Sequence, residues 1–409
     1  MDPLAEIEAL VAIEGRAPGS DAERRAAGHL ERRLRDLGRE VRVEPVEVMP
    51  RYELVHLIHV GAAIVGSVLL TVTPLVGTIV LLATATSLFA DLIGGVHLAR
   101  RLTPRRASQN VVSPEDGGKP GTLVLVAHYD AARTGAPFGR RTSELRARIG
   151  HRIRRPIGLL EPVFWSVIVL LACGGLRLIG VHPGPVVLVQ FIATAILIVS
   201  VPLLADIAFS GPVPGANDNA SGVATVLRLA ERYGEDLEYF DLWVLFTGAG
   251  EGPMLGIRRW LRAHRRELDT SRTAFLCVDE VGLGTVRYLT KEGFAIAYPY
   301  HRSLLQLCRQ VEDEDQEDRR YGVRPLVSRS VTDAFAARRA GFPAVTVTCR
   351  NALDYTPHHH LASDVPDNID GDALDRAYRF CSELIELIDE EIGPDLEREE
   401  VDAFAEDES

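Results

Sequence analysis

Five side chains scattered through the 409 residues are of the types that hold a divalent metal: His128, Asp218, Glu251, Asp279 and His360. Imidazole nitrogen and carboxylate oxygen are donors that zinc accepts in catalytic sites. Two such ions, ~3.5–4 Å apart, can share one bridging carboxylate. Singly, each residue has an ordinary reading. His128 alone suits a hydrogen-bonded structural histidine, Asp218 a turn residue or helix anchor, and Glu251 a surface carboxylate. His360 alone is one member of the triplet His358–His360. Asp279 closes an apolar run, where an unpaired charge is costly. Only the set as a whole points to a metal centre.

The elements around these residues suit that purpose. "GTLVLVAHYD" (Gly121–Asp130), "DLWVLFTG" (Asp241–Gly248), "TAFLCVDEVG" (Thr273–Gly282) and "GFPAVTVTC" (Gly341–Cys349) read as strands, most of them running into polar residues. Helices are expected from the Ser20–Glu23 capping box to Gly38, over Gly222–Glu231, Leu255–Arg266 and Ala373–Ile388. "EVRVEPVEV" (Glu40–Val48) alternates like a strand, and "VEDEDQEDRR" (Val311–Arg320) reads as a solvated helix end or loop. Alternating strands and helices predict an α/β fold with a mostly parallel central sheet flanked by helices. Ligands of such sheets bind beyond the carboxyl ends of the strands. Asp218 sits in the turn "VPGANDNASGVAT" (Val213–Thr225), just before a predicted helix.

Two apolar insertions interrupt this pattern. No Asp, Glu, Lys or Arg occurs from Leu54 to Ala90, and two further uncharged runs lie between Glu161 and Arg177 and from Leu178 to Ala205. A membrane span needs roughly 20 apolar residues. The first run is long enough for two spans with a break at Thr73-Pro74; the others predict spans at about Ile157–Ile179 and Pro185–Ala205. The alternative, buried core helices, suits the Ile157–Ile179 run better than the long first one. The basic stretches "ARRLTPRR" (Ala99–Arg106) and "RRTSELRARIGHRIRRP" (Arg140–Pro156) flank the hairpins. Basic loops favour the cytoplasmic side. The expectation is a multi-pass protein of the inner (plasma) membrane, its polar parts and both termini cytoplasmic and no signal segment at the start. The division expected is 1–53, 99–156 and 207–393 for the polar domain, 54–98 and 157–206 for two transmembrane hairpins, and 394–409 for an acidic tail.

The net charge of −12 argues against nucleic acid, and the arginines beside the spans suit anionic lipid headgroups instead. The five cysteines form no CxxC pair or disulfide framework, as in a reducing compartment.

In order along the chain, "GRAPGSDAERRAAGHLERRL", "LVLVAHYDA", "PGANDNASGVATVLRLA", "LFTGAGEGPMLG", "FLCVDEVG" and "HHLASDVPDNID" resemble the M28 family of zinc metallopeptidases, the aminopeptidase and glutamate-carboxypeptidase type. The resemblance covers roughly residues 1–50, 107–140 and 210–390. It implies two zinc ions bridged by Asp218, one completed by His128 and Asp279, the other by Glu251 and His360. Asp130 would orient His128. It also implies a peptide substrate, hydrolysed by a water that the zinc pair activates.

One position departs from the family. Its usual pair of glutamates, general base then metal ligand, here reads Gly250-Glu251, with Gly256 fixing the register. Losing a positioned base costs about 10²–10⁴-fold in rate. Glu280 is a weak substitute, since along a strand it should point away from Asp279's face; Glu292 and Asp333 are the other carboxylates that loops could bring in. Gly250→Glu is expected to raise hydrolysis if the position is merely vacant. The leading expectation is a membrane-anchored aminopeptidase on membrane-proximal peptides. The alternative is a catalytically silent metal-binding receptor or scaffold. A transporter is disfavoured, because ionisable residues sit only near the predicted span ends.

Overall fold

A computed structural model describes residues 1–181, 184–318 and 320–392; the acidic tail expected from Pro394 lies outside them. In chain order the helices are α1 (Pro3–Val11), α2 (Asp21–Asp36), α3 (Tyr52–Val72), α4 (Pro74–Phe89), α5 (Arg140–Arg152), α6 (Glu161–Leu178), α7 (Gly184–Phe209), α8 (Gly222–Tyr233), α9 (Leu255–Ala263), α10 (Arg302–Asp318), α11 (Asp333–Arg339) and α12 (Gly371–Leu387). The strands are β1 (Arg42–Val48), β2 (Arg106–Ser113), β3 (Gly121–His128), β4 (Phe240–Thr247), β5 (Thr273–Val278), β6 (Thr285–Glu292), β7 (Tyr298–Pro299), β8 (Arg324–Ser328) and β9 (Ala344–Arg350).

One mixed sheet runs β1-β2-β4-β3-β5-β9-β6-β7, with β8 paired to β6. Its centre, β4-β3-β5-β9, is parallel. The outer pairings β1–β2, β2–β4 and β9–β6 are antiparallel. The α/β expectation therefore holds, with the parallel centre carrying the site and one further parallel pair, β6–β8, at the edge. Leu123–Ala127 of β3 and Ala274–Val278 of β5 are buried on both faces, as central parallel strands covered by helices must be. Register aligns the carboxyl ends: His128 pairs with Thr247, and Val278 pairs with Val347. The last turns of four strands thus open on one edge.

The helices that cover the sheet follow their apolar spacing. Ser20 caps α2 by accepting the Glu23 N–H, and Ala26, Ala27, Leu30 and Leu34 are buried beneath it. Glu23 is no surface residue, however. Its carboxylate accepts from Gly19 N, Ser108 Oγ and Ala249 N, tying α2 to the loop after β4. Ser221 does not cap α8; its hydroxyl donates to the Asn217 carbonyl.

Four helices are long and apolar enough to cross a membrane: Tyr52–Val72, Pro74–Ile93, Glu161–Leu178 and Gly184–Phe209. They pack as a bundle, α3 against α4 and α7, α6 against α4 and α7, around an apolar core of their own that includes Val60, Leu81, Val167 and Leu197. The break at Thr73-Pro74 is where the first hairpin turns. The third apolar helix starts at Glu161 rather than Ile157, and the fourth carries Pro202 inside it and continues to Phe209. Residues 156–160 are instead part of the wall of a cavity over the strand ends.

Candidate metal centre

The Asp218 turn is fastened before any metal is considered. Gly215 adopts φ +68°, a left-handed conformation that glycine takes without penalty. The buried Arg16 guanidinium donates to the Pro214 and Gly215 carbonyls. Asp364 accepts the Asn217 and Asp218 N–H groups at 2.7 and 3.1 Å. The asparagines have a task of their own. Asn219 donates to the Val278 carbonyl and accepts from Glu280 N; Asn217 accepts from Gly282 N; Ser221 accepts from Val281 N. These bonds lace the turn to the loop after β5. Asp218 and Asp279 are therefore held by one hydrogen-bonded unit, although 60 positions separate them in the chain.

All five sequence-derived residues meet around Asp218. Its Oδ1 lies 3.3 Å from His128 Nε2, which is 3.5 Å from Asp279 Oδ1. Its Oδ2 lies 3.1 Å from His360 Nε2, which is 3.4 Å from Glu251 Oε2. Two donors of a tetrahedral zinc ion, each ~2.0–2.1 Å from the metal, are about 3.4 Å apart. The observed separations match that value on both sides of Asp218. Asp218 Oδ2 and Asp279 Oδ1 are buried without a well-formed hydrogen bond, faced only by imidazole nitrogens at 3.1–3.5 Å, an arrangement that a shared cation would satisfy. The residues present thus fit zinc.

The electrostatics agree. Burial pushes the carboxyls of Glu251 and Asp279 above their usual range. Burial opposes ionisation of Asp218 too, but three imidazoles hold it well below the carboxylate range. Against its own burial, His128 is raised by the carboxylates of Asp130, Asp218 and Asp279. Acidic groups crowd here beyond what the histidines neutralise.

Asp130 stands behind His128, its Oδ1 3.5 Å from Nδ1. Its firm bonds go elsewhere: Gly250 N and Glu251 N donate to its two oxygens at 2.8 and 3.0 Å. Its evident task is to hold the Glu251 loop. Glu280 does not point away as strand alternation suggested. Its backbone turns to φ +54°, which brings the carboxylate to the cavity wall. There Arg350, Thr356 and His359 engage it at 3.0, 2.9 and 2.6 Å. It is a fully partnered group rather than a free proton acceptor. Glu292 is buried behind the cavity, accepting from the Tyr300 hydroxyl and from Thr332 Oγ1. Asp333 lines the cavity and accepts from the Thr247 hydroxyl; burial pushes its carboxyl up to about 6.

At Gly250 the structure corrects the idea of a vacant base position. A Cβ there would lie 2.5 Å from His128 Cβ and 2.7 Å from Cγ. The imidazole fills the space a glutamate stem would need.

Sequence reasoning missed His359, whose Nδ1 is 3.3 Å from Asp218 Oδ2 and whose ring stacks on His360. The triplet was the available signal. Asp364, quoted within the last motif, and Arg16, within the first, were missed as supports.

The cavity encloses about 270 Å³. Its floor carries His128, Asp218, Glu251, Asp279 and His360, and its walls include Tyr52, Phe294 and residues 156–160.

The model of Peptidase family M28 matches residues 200–385. No curated protein matches the chain in sequence. Among solved structures, glutaminyl cyclase of Bacteroides thetaiotaomicron is similar at TM-score 0.54 and 12% identity, covering 94% of this chain and 96% of that one. A leucine aminopeptidase precursor of the same organism gives 0.53 at 13% identity, covering 94% and 95%. A Zn-dependent exopeptidase of Parabacteroides distasonis gives 0.50 at 11%, covering 94% and 96%. Identities this low speak for the fold alone. With the family match over the segment that holds Asp218, Glu251, Asp279 and His360, they identify the chain as one carrying the fold of peptidase family M28.

Proposed function

We propose that the chain is a membrane-anchored, zinc-dependent peptidase that removes residues from the amino ends of peptides presented at the membrane surface. The observation that carries this reading is the double use of Asp218: each carboxylate oxygen faces its own imidazole–carboxylate pair. On this reading His128, Asp218 and Asp279 would hold one zinc ion, and Asp218, Glu251 and His360 a second. When bound, the metal pair supplies Lewis acidity and a nucleophile active near neutral pH. Asp130 keeps the Glu251 loop in place, and Asp364 keeps the Asp218 turn. Asp333 is the cavity carboxylate assigned to take the proton, since its position near 6 suits exchange close to neutrality. Tyr52, Phe138, Leu159, Leu160 and Phe294 give the cavity apolar patches that would receive an apolar side chain, beside Arg146, Arg329 and Arg350 on the same walls.

The anchor is the four-helix bundle. Tyr52, on the cavity wall, is the first residue of α3, and the wall at 156–160 leads into α6. The basic stretches beside the helices support a cytoplasmic peptidase domain on the inner membrane.

The test is a panel of aminoacyl and short peptide substrates, one with N-terminal glutamine, given to full-length protein in nanodiscs with added zinc. Chelator-sensitive release of N-terminal residues supports the reading. Cyclisation of the glutamine peptide alone would replace it with a cyclase. Bound zinc with no turnover on any substrate would favour the silent receptor or scaffold. Asp333→Asn is expected to retain zinc while losing about 10²–10⁴-fold in kcat.

A further inference from the structure

α5 presents two different faces. Ser143 and Arg146, one turn apart, line the cavity, and Gly150 continues that side as a buried residue. Beside that side, Leu145 and Ile149 are 60% and 44% exposed, and Ile153, which ends the helix, is 51% exposed. Spacing of i, i+4, i+8 places these three in one stripe. Arg141, Arg148 and Arg152 run alongside it at the same helical spacing, all exposed. Between Arg140 and Arg155 there are seven arginines and one glutamate, within a chain whose net charge is −12.

The two ends of this segment are fixed at the ends of apolar helices. Before α5, Ala136 N donates to Asp206 Oδ2 near the end of α7. After it, Arg155 pairs with Glu161, the first residue of α6. Nearby, Phe294 and Ala295 pack into the core of the apolar bundle while Ile296 beside them is 50% exposed. After the first hairpin, Leu98 and Leu102 are exposed as well.

We propose that α5 lies on the bilayer surface, its Leu145–Ile149–Ile153 stripe among acyl chains and its arginines on acidic lipid headgroups, so that the lipid surface forms the outer support of the cavity wall. An apolar stripe beside a basic one is the pattern of an interfacial helix, and arginines within a Debye length of an anionic leaflet are drawn to it. The inference rests on the reading that the four apolar helices cross a membrane. It requires neither zinc nor turnover.

The experiment places an environment-sensitive fluorophore on single introduced cysteines, Leu145→Cys, Ile149→Cys and, on another side of the helix, His151→Cys. The five native cysteines are buried. Full-length protein is reconstituted in nanodiscs of neutral lipid or of neutral lipid mixed with acidic lipid. The expected result is blue-shifted emission at 145 and 149 in the acidic discs, little shift at 151, and loss of the shift when Arg141, Arg148 and Arg152 are changed to Glu. Emission at 145 as red as at 151 in both lipids overturns the proposal. An equal blue shift in neutral and acidic discs, unmoved by charge reversal, overturns the acidic-headgroup assignment. A failure of peptidase activity leaves this readout intact, so the two readings fail separately.

Discussion

Adding one methyl group at residue 250 should damage the metal centre. In Gly250→Ala the new Cβ would stand 2.5 Å from His128 Cβ and 2.7 Å from His128 Cγ. Carbon atoms in contact prefer about 3.5–4.0 Å, so the imidazole or the loop must give by about 1 Å. The loop is poorly placed to move, because Gly250 N and Glu251 N are both bound to Asp130. His128 would move instead, and a zinc–nitrogen bond of about 2.0–2.1 Å tolerates no such displacement. Overpacking of this kind costs about 1–3 kcal/mol, and disturbing the supports of metal ligands costs about 10–100-fold in affinity. The assay is a zinc competition titration against a chromophoric chelator, with thermal unfolding of the same detergent-solubilised samples. Gly250→Ala should bind zinc at least about 10-fold more weakly, and Gly250→Glu should not gain hydrolysis. Parental zinc affinity in Gly250→Ala, or faster turnover in Gly250→Glu, would refute the argument and restore the notion of an empty base position.

Three more outcomes follow from buried polar groups. Asp364→Asn replaces an acceptor of two backbone N–H groups by one that must turn a donor toward the turn, and should cost about 1–3 kcal/mol in unfolding experiments; an unchanged midpoint would count against Asp364 as the support of Asp218. The buried Arg100 forks onto Asp91 at 2.7 and 3.1 Å and donates to the Gly252 carbonyl, one residue beyond Glu251. Arg100→Met should destabilise by about 3–5 kcal/mol, and Asp91→Asn added to it should recover part of that loss; equal midpoints for the single and double variants would contradict it. Glu292, raised by burial from 4.5 to about 8, keeps a proton in the folded protein that the unfolded chain releases at lower pH. Its contribution to stability therefore falls as pH rises from 4.5 to about 8, by up to about 5 kcal/mol. Glu292→Gln should flatten the decline of melting temperature over that window, and a parallel decline in both proteins would sink the assignment.

What could be read from the residues was whatever local patterns carry. His128 and Asp279 were legible because each follows an apolar strand with a side chain out of place in a core. Asp218 was legible because of the turn around it, and the apolar hairpins announced themselves by length. β6 and β8 were not foreseen, since Thr285–Glu292 mixes charged and apolar residues and gains its burial only from its neighbours in the sheet. Glu280 was misread because strand alternation was assumed where the chain enters a left-handed turn. Gly250 looked like a missing side chain in sequence; only the position of His128 shows that a side chain there requires His128 or the loop to shift. Supports such as Arg16, Glu23 and Asp364 act on backbone groups far along the chain, and no spacing rule reveals them.

The central claim is that Asp218 is shared by two metal ions. Anomalous scattering at the zinc edge from crystals of the full-length protein, with zinc content measured on the same preparation, tests it most directly. The account predicts two peaks per chain, one between Asp218, His128 and Asp279 and one between Asp218, Glu251 and His360, both greatly weakened in Asp218→Asn. A chain without zinc, or zinc that stays in place in Asp218→Asn, would contradict it.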